Sequence, residues 1–261
     1  MVQQELEELR LKEKALVESI RCRIKSEEPE CKVVYLPVPM ANAKVDYILI
    51  AMEPSFRHWA KTEGEAEEKV QKGFRSFIKS WDDFAFLYSV SQFLSPSYYV
   101  TDVSKAAMKV KDANKYRECI YRESVQYLQE EINIVGKPDS EILCVGRAVH
   151  AFLKDRMPGV VGKSPLLHYS GQAARERKRI AERNKDEYAA FKRQFENDLT
   201  PSNVLAFADN YMKKHDVPVE MRVYILEALA RNKTGLSESR KQLMYAYYRD
   251  FTLIKGTTRP T

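Results

Sequence analysis

Three polar side chains follow short apolar runs that are predicted to be β-strands. Glu53 comes after the first main strand, Asp102 closes the second, and His168 follows the fourth. A carboxylate can accept a proton or stabilise a positive charge, and a neutral histidine can donate a hydrogen bond. Because the strands of an open parallel sheet end at the edge where ligands bind, we expect these side chains to converge. The alternatives are a solvated loop acid for Glu53 and a packed, backbone-bonded ring for His168.

The run before Glu53 shows why this edge is expected. Residues 47–52 are continuously apolar and include β-branched side chains, which is typical of a strand buried on both faces. Pro54 follows Glu53, and proline has a fixed φ and no N–H donor, so the strand must end there. Glu53 is therefore expected at the carboxyl end of this strand.

Strands alternate with helices up to residue 198. Strands are predicted at 47–52, 98–102, 141–146 and within 160–167, with a short further strand at 33–36. Helices are predicted over 2–27, 65–80, 82–94, 113–134, 147–157, 173–198, 201–214, 218–232 and from Ser237 onward. A basic loop is expected between the second main strand and the helix that starts at 113. This order predicts an α/β fold with a four-stranded parallel sheet flanked by helices.

The all-helical ends of the chain set the predicted domain boundaries. Residues 1–30 are expected to form an N-terminal helical extension, 31–198 the α/β domain, and 199–261 a C-terminal helical extension. The terminal helices could also serve as surfaces that bind another protein.

Composition limits the classes of function. The net charge is +6, from 43 basic and 37 acidic residues, and the pI is about 8.9; this permits nucleic-acid binding without requiring it. No run approaches the roughly 20 apolar residues that span a bilayer, and the acidic, polar N-terminus is unlike a signal peptide. The four cysteines form no C-x-x-C pair, so we expect reduced thiols, no metal, no cofactor, and a cytoplasmic, nucleoid or nuclear location.

Four segments resemble, in order and spacing, the motifs of the uracil-DNA glycosylase superfamily. They are 51–55 (Ala-Met-Glu-Pro-Ser), 101–105 (Thr-Asp-Val-Ser-Lys), 142–153 (Ile-Leu-Cys-Val-Gly-Arg-Ala-Val-His-Ala-Phe-Leu) and 168–170 (His-Tyr-Ser). Three positions depart from the family's pattern: Ala51 stands in place of a glycine, Asp102 in place of an asparagine, and Tyr169 in place of a proline. The cysteine spacing differs from that of the branch with a four-iron cluster, so no cluster is expected.

The resemblance implies a DNA glycosylase-like hydrolase that removes a damaged, uracil-type base from DNA by attack of water at C1′. Glu53 would position that water, and His168 would donate to the leaving base. The residues implied for the base pocket are Met52, Phe74, Asp102 and Ser170, with Phe74 as the stacking ring. The residues expected to contact DNA are Ser55, Lys105, Lys109, Arg175, Arg177 and Lys178. The basic run at 175–179 could equally be a solvated helix face, because glutamates are interleaved with it.

Asp102 also bears on which base is removed. An asparagine can donate to uracil O4 and accept from N3–H, whereas an ionised aspartate only accepts. Either Asp102 is protonated or turned away, or the substrate is a base with an exocyclic amine or two N–H donors. Two other functions remain open: a non-catalytic nucleic-acid-binding protein of the same fold, and an unrelated α/β enzyme that acts on a nucleotide. The second lacks the support of a glycine-rich phosphate loop.

Overall fold

The computed structural model describes residues 1–56, 59–157, 164–232 and 235–257. Within these ranges the strands are β1 (Val33–Tyr35), β2 (Val45–Ala51), β3 (Tyr98–Asp102), β4 (Ala106–Met108) and β5 (Gly136–Cys144). The helices are α1 (Val2–Glu27), α2 (Glu63–Gln71), α3 (Trp81–Ser89), α4 (Val110–Val135), α5 (Arg147–Leu153), α6 (Ala174–Arg183), α7 (Lys185–Gln194), α8 (Pro201–Lys214), α9 (Val219–Ala230) and α10 (Glu238–Thr257). A π-helical segment, Val90–Leu94, extends α3, and a 3₁₀ turn, Gly171–Ala173, precedes α6.

A parallel sheet with strand order β3-β2-β5 forms the centre of the fold. In β2, Ile48 pairs with Tyr99 on one side and with Ile142 on the other. Ile48, Leu49 and Ile50 are fully buried, as expected for a strand that is covered on both faces. The predicted α/β class, with a parallel sheet flanked by helices, is confirmed.

The fourth predicted strand is represented by one parallel bridge between Val145 and Leu166. The Gly146 N–H donates to the Leu166 carbonyl at 2.9 Å, and the Leu166 N–H donates to the Cys144 carbonyl at 2.8 Å. Residues 158–163, where most of this strand was predicted, lie outside the described residues. In the described part of the chain the central sheet therefore has three strands.

A separate two-stranded antiparallel sheet is formed by β1 and β4. The predicted basic loop is wrong at 106–108, because these apolar residues pair with β1 and are fully buried. Met108 also forms main-chain hydrogen bonds with the segment that follows Glu53. Its N–H donates to the Pro54 carbonyl at 3.2 Å, and its carbonyl accepts from the Phe56 N–H at 2.8 Å.

The helix predicted over 65–80 ends at Gln71. Gly73 has a φ of +98°, and a Cβ atom there would overlap the ring of Pro218, so only glycine fits this turn. Phe77 also has a positive φ, of 61°. Packing against the C-terminal helices therefore overrides the local helical pattern, and Phe74, Phe77 and Ile78 are buried in an irregular segment.

The predicted helix over 173–198 is also divided. It forms α6 and α7, which meet at Asn184, and the Asn184 side chain donates to the Ile180 carbonyl at 2.7 Å. By contrast, the predictions for 2–27 and 201–214 are confirmed by α1 and α8. Thr200 caps α8 by accepting from the Asn203 N–H at 3.2 Å, which is why that helix begins where its proline indicated.

One hydrophobic cluster joins the terminal helices to the sheet. It contains Leu9 and Ile20 of α1, Leu49 of β2, and Tyr247 and Phe251 of α10. The boundaries predicted at residues 30 and 198 therefore do not separate independent hydrophobic cores. Within the described ranges, no helix combines the length and the apolar character that crossing a membrane requires.

Candidate functional site

The ends of the central strands bring Glu53, Asp102 and His168 to one edge of the sheet. Ala51, the last residue of β2, pairs with Asp102, the last residue of β3. His168 lies two residues beyond Leu166, whose bridge to the end of β5 continues the same edge. Burial is the main influence on the pKa of both Asp102 and His168, and the charge of Glu53 also acts on both. The convergence expected from the strand pattern is therefore present.

Arg117 and Tyr121, one turn apart on α4, hold the carboxylate of Glu53. Arg117 Nε lies 3.2 Å from Oε1 and 3.1 Å from Oε2, and Nη2 lies 2.7 Å from Oε1. The Tyr121 hydroxyl donates to Oε2, and the Glu53 main-chain N–H donates to that hydroxyl at 3.3 Å. The Glu53 side chain is only 6 % exposed. Its charge is thus compensated inside the fold by a charge-assisted, forked contact.

These contacts use the hydrogen-bonding capacity of the Glu53 carboxylate. A carboxylate has two lone-pair positions on each oxygen. Oε1 accepts from Nε and Nη2 of Arg117, and Oε2 accepts from Nε and from the Tyr121 hydroxyl. A water molecule that uses Glu53 as a base must therefore replace one of these donors.

His168 is held in one tautomer by Ser170. The Ser170 main-chain N–H donates to His168 Nδ1 at 3.1 Å, and Ser170 Oγ lies 2.9 Å from the same nitrogen. Because Nδ1 accepts from an N–H group, the neutral ring carries its proton on Nε2. Burial lowers the pKa of His168 to about 4, while Glu53 opposes this shift and Arg117 adds to it. At neutral pH the ring therefore offers one donor, Nε2–H.

Asp102 is a buried acid with an unused oxygen. It is 1 % exposed, and its Oδ2 has no hydrogen-bond partner among the described residues. Burial raises the pKa of Asp102 to about 7, against the charges of Lys105 and Lys79. The Ser76 hydroxyl, close enough to favour the ionised form, is also buried and unpartnered in the described structure. A carboxyl that is partly neutral near pH 7 can donate as well as accept.

The aromatic ring beside His168 belongs to Tyr169. This ring lies nearly parallel to His168 at 4.9 Å and to Phe86 at 5.0 Å. Phe74 instead is buried, with 2 % exposed, and stacks on Trp59 at 4.8 Å. Trp59 covers one face of the Phe74 ring, so the stacking role predicted for Phe74 would have to use the other face.

Lys105 belongs to a buried charge network and does not reach solvent. Its Nζ donates to Thr101 Oγ1 at 2.7 Å, to Glu131 Oε2 at 2.8 Å and to the Asp102 carbonyl at 2.9 Å. It also lies 3.5 Å from Glu13 of α1, and its side chain is 3 % exposed. Burial acts to lower the pKa of Lys105, but the two glutamates raise it above its ordinary value. The predicted phosphate contact is therefore corrected: Lys105 fixes the end of β3.

The other residues predicted to contact DNA divide by exposure. Arg177 is buried, its Nη1 lies 3.4 Å from the Tyr169 carbonyl, and burial lowers its pKa. Its predicted contact with DNA does not fit that location. Arg175 and Lys178, on α6, and Lys109, at the start of α4, are exposed. These three side chains are the predicted phosphate contacts that solvent can reach.

Two further predicted residues flank Glu53. Met52 and Ser55 are both half-buried. The Ser55 carbonyl accepts from Trp59 Nε1 at 2.8 Å, and Ser55 forms a bridge with Met108. The loop that carries Glu53 is therefore attached to its surroundings on both sides.

Arg117 and Tyr121 are the residues of this site that the sequence prediction lacks. They are 64 and 68 residues away from Glu53. Their spacing of four residues, which places them on one helix face, is the only local signal. Nothing in that spacing indicates which carboxylate they bind.

No group of three or more His, Cys, Asp or Glu side chains among the described residues is arranged to hold a metal ion. Comparison of the chain with protein-family models, curated proteins and solved structures finds no match. The functional assignment therefore depends on the site's own geometry and on the resemblance of its motifs.

Proposed function

We propose that this protein is a DNA glycosylase-like hydrolase that removes a damaged, uracil-type base by attack of water at C1′. The observation that carries the proposal is the His168 ring, whose Nδ1 accepts from the Ser170 N–H so that Nε2 carries the proton, at the same carboxyl edge of the sheet as Glu53. The resemblance of four ordered motifs to the uracil-DNA glycosylase superfamily supports the same assignment.

The reaction assigns a distinct task to each residue. A bond forms between the water oxygen and C1′ while the C1′–N bond breaks, and the base leaves with the bonding electron pair. Glu53 would position the water, accept its proton and favour positive charge on the sugar, once one of the donors on its carboxylate has moved away. His168 would stabilise the negative charge on the departing base through its Nε2–H.

Asp102 and Ser76 would bind the edge of the base. A base inside a duplex must leave the stack before its glycosidic bond can be reached. Both side chains are buried and retain hydrogen-bonding capacity within the described structure, so a base that enters the site would supply the missing partners. Because Asp102 can be neutral near pH 7, it could donate to a carbonyl oxygen as well as accept from an N–H group.

The contacts of Glu53 favour one second candidate, a nucleic-acid-binding protein without base release. Arg117 and Tyr121 occupy the lone-pair positions of the carboxylate, and a base catalyst needs one of them. In this alternative the Glu53–Arg117 pair is structural, and the exposed cations Lys109, Arg175 and Lys178 bind the DNA backbone.

Incubation with a panel of oligonucleotides tests both candidates. Single and double strands carry uracil, hypoxanthine, xanthine or only normal bases, and alkali cleaves any abasic site that forms. We expect alkali-labile sites at a damaged base. Salt-dependent binding without base release would support the second candidate, and the absence of both binding and release would contradict the two together.

A further inference from the structure

Arg117 contacts Glu53 with only part of its guanidinium group. Nε and Nη2 make the contacts, and Nη1 has no hydrogen-bond partner in the described part of the chain. Of the five N–H groups of arginine, three therefore make no contact with Glu53. The Arg117 side chain is 24 % exposed and that of Glu53 is 6 % exposed. Arg117 is therefore the more accessible member of this ion pair.

The surroundings of Arg117 are suited to an anion. Lys109 and Lys111, at the N-terminal end of the helix that carries Arg117, are exposed and positively charged. Glu118, the exposed acid next to Arg117, is itself paired with Arg122 at 2.7 Å. The acid in direct contact with Arg117 is Glu53, which is already committed to the same guanidinium.

We propose that Arg117 binds a phosphate group of the substrate, and that this phosphate competes with Glu53 for the guanidinium. The inference rests on the proposed function, because the phosphate is assigned to the DNA strand that carries the target base. The planar fork of arginine matches a phosphate in two parallel hydrogen bonds. A phosphate that binds the N–H groups not directed at Glu53 draws Arg117 away from Glu53 and leaves lone pairs on the carboxylate for water. Substrate binding thereby makes Glu53 able to act as a base.

Binding of a single-stranded oligodeoxynucleotide at several salt concentrations, followed by fluorescence anisotropy, tests the phosphate contact. Arg117→Gln is expected to weaken binding about tenfold and to reduce the slope of log affinity against log salt by about one. Arg231→Gln is the matched control, since Arg231 follows α9, is 71 % exposed and pairs with Glu227 of that helix. We expect this variant to bind within about twofold of wild type.

Glu53→Gln tests the competition, and its combination with Arg117→Gln controls for misfolding of the Arg117 variant. Arg117→Gln alone leaves a buried carboxylate without its counter-charge, whereas the double variant places two neutral amides there. Glu53→Gln alone is expected to strengthen oligonucleotide binding, and the gain should vanish when Arg117 is also replaced. A gain of equal size with and without Arg117 would reflect simple loss of a like charge and would overturn the competition.

The mononucleotide dUMP distinguishes a strand phosphate from a nucleotide phosphate. Binding of the oligonucleotide that depends on Arg117 supports the inference. If dUMP binds in a way that depends on Arg117 and the oligonucleotide does not, the phosphate does not come from a DNA strand. If Arg117→Gln changes neither the affinity for the oligonucleotide nor the salt slope, Arg117 does not contact a phosphate. Because all these readouts are binding measurements, absence of base release would contradict the proposed function alone.

Discussion

Gly146 lies so close to His168 that a Cβ atom placed on it would be 3.2 Å from Cδ2 of the imidazole ring. Gly146 also has a φ of +102°, a conformation that side chains rarely allow. Glycine at this position both turns the chain into α5 and leaves room for the imidazole ring. The placement of His168 therefore depends on a neighbouring strand end as well as on its own loop.

Replacing Gly146 by alanine is expected to destabilise the protein by about 1–3 kcal/mol, because backbone strain and the close contact add. Urea unfolding measures this change. Gly64→Ala is the control, since Gly64 lies in α2 with no heavy atom within 4 Å of an added Cβ; it should be neutral or stabilising by up to about 1 kcal/mol. Equal stability of Gly146→Ala and wild type would contradict the close approach.

The neutral state of His168 predicts a loss of stability in acid. Its pKa is about 4 in the folded protein, compared with 6.5 ordinarily, so the unfolded chain takes up a proton first as the pH falls. The stability that this ring contributes is complete above pH 6.5 and is lost as the pH falls towards 4, by up to roughly 3 kcal/mol. His168→Gln should lack this part of the acid sensitivity.

Chemical denaturation of wild type and His168→Gln at pH 7 and at pH 4.5 gives the difference in unfolding free energy between the two proteins at each pH. Nitrogen-15 NMR of the ring gives an independent reading, for which we expect an Nε2–H tautomer that persists below pH 6. A His168 ring that becomes charged near its ordinary pKa would contradict the assigned environment.

Asp102 should give the opposite dependence on pH. Its pKa is raised by burial from 3.8 to about 7, so the folded state retains a proton that the unfolded chain has lost. The contribution is complete below pH 3.8 and is lost as the pH rises to about 7. As the pH rises between these limits, the free energy of unfolding of Asp102→Asn should therefore increase by up to about 4 kcal/mol relative to that of wild type. A constant difference across the range would contradict a neutral Asp102.

The same variant tests recognition of the base. An asparagine supplies both a donor and an acceptor at every pH, so Asp102→Asn is expected to release uracil faster than wild type at pH 8, where the acid is mostly ionised. No gain in uracil release would show that Asp102 does not face the base.

Lys105 is expected to be essential for stability. Lys105→Met leaves the buried Glu131 without its counter-charge, and such a loss is worth about 3–5 kcal/mol. Lys109→Met, at an exposed position four residues further along, should change the free energy of unfolding by no more than about 0.5 kcal/mol. Similar effects of the two substitutions on urea unfolding would contradict the buried network.

Elements with a strong local pattern could be predicted, and those set by distant packing could not. The strand at Tyr98–Asp102 and the helix at Val2–Glu27 match their predictions, because period and composition define them locally. The helix expected to 80 failed because Gly73 turns against Pro218, far along the chain. The spacing of its apolar residues correctly indicated that they are buried, but it did not indicate a helix.

The site shows the same division. Strand ends predicted the convergence of Glu53, Asp102 and His168, since parallel strands share one carboxyl edge. The partners that set their chemistry come from α4: Arg117 and Tyr121 reach Glu53 across 64 and 68 residues. The position of Lys105 in a basic run gives no indication that its side chain is buried and paired with Glu131 of α4.

Single-turnover release of a damaged base from an oligonucleotide tests the central claim most directly. Wild type, Glu53→Gln and His168→Ala are compared, with Arg231→Gln as a surface control. We predict alkali-labile sites with wild type and the control, and a rate lowered about 100-fold or more in Glu53→Gln and His168→Ala while DNA remains bound. Base release by Glu53→Gln at the wild-type rate, or bound DNA with no base released by wild type, would contradict the account.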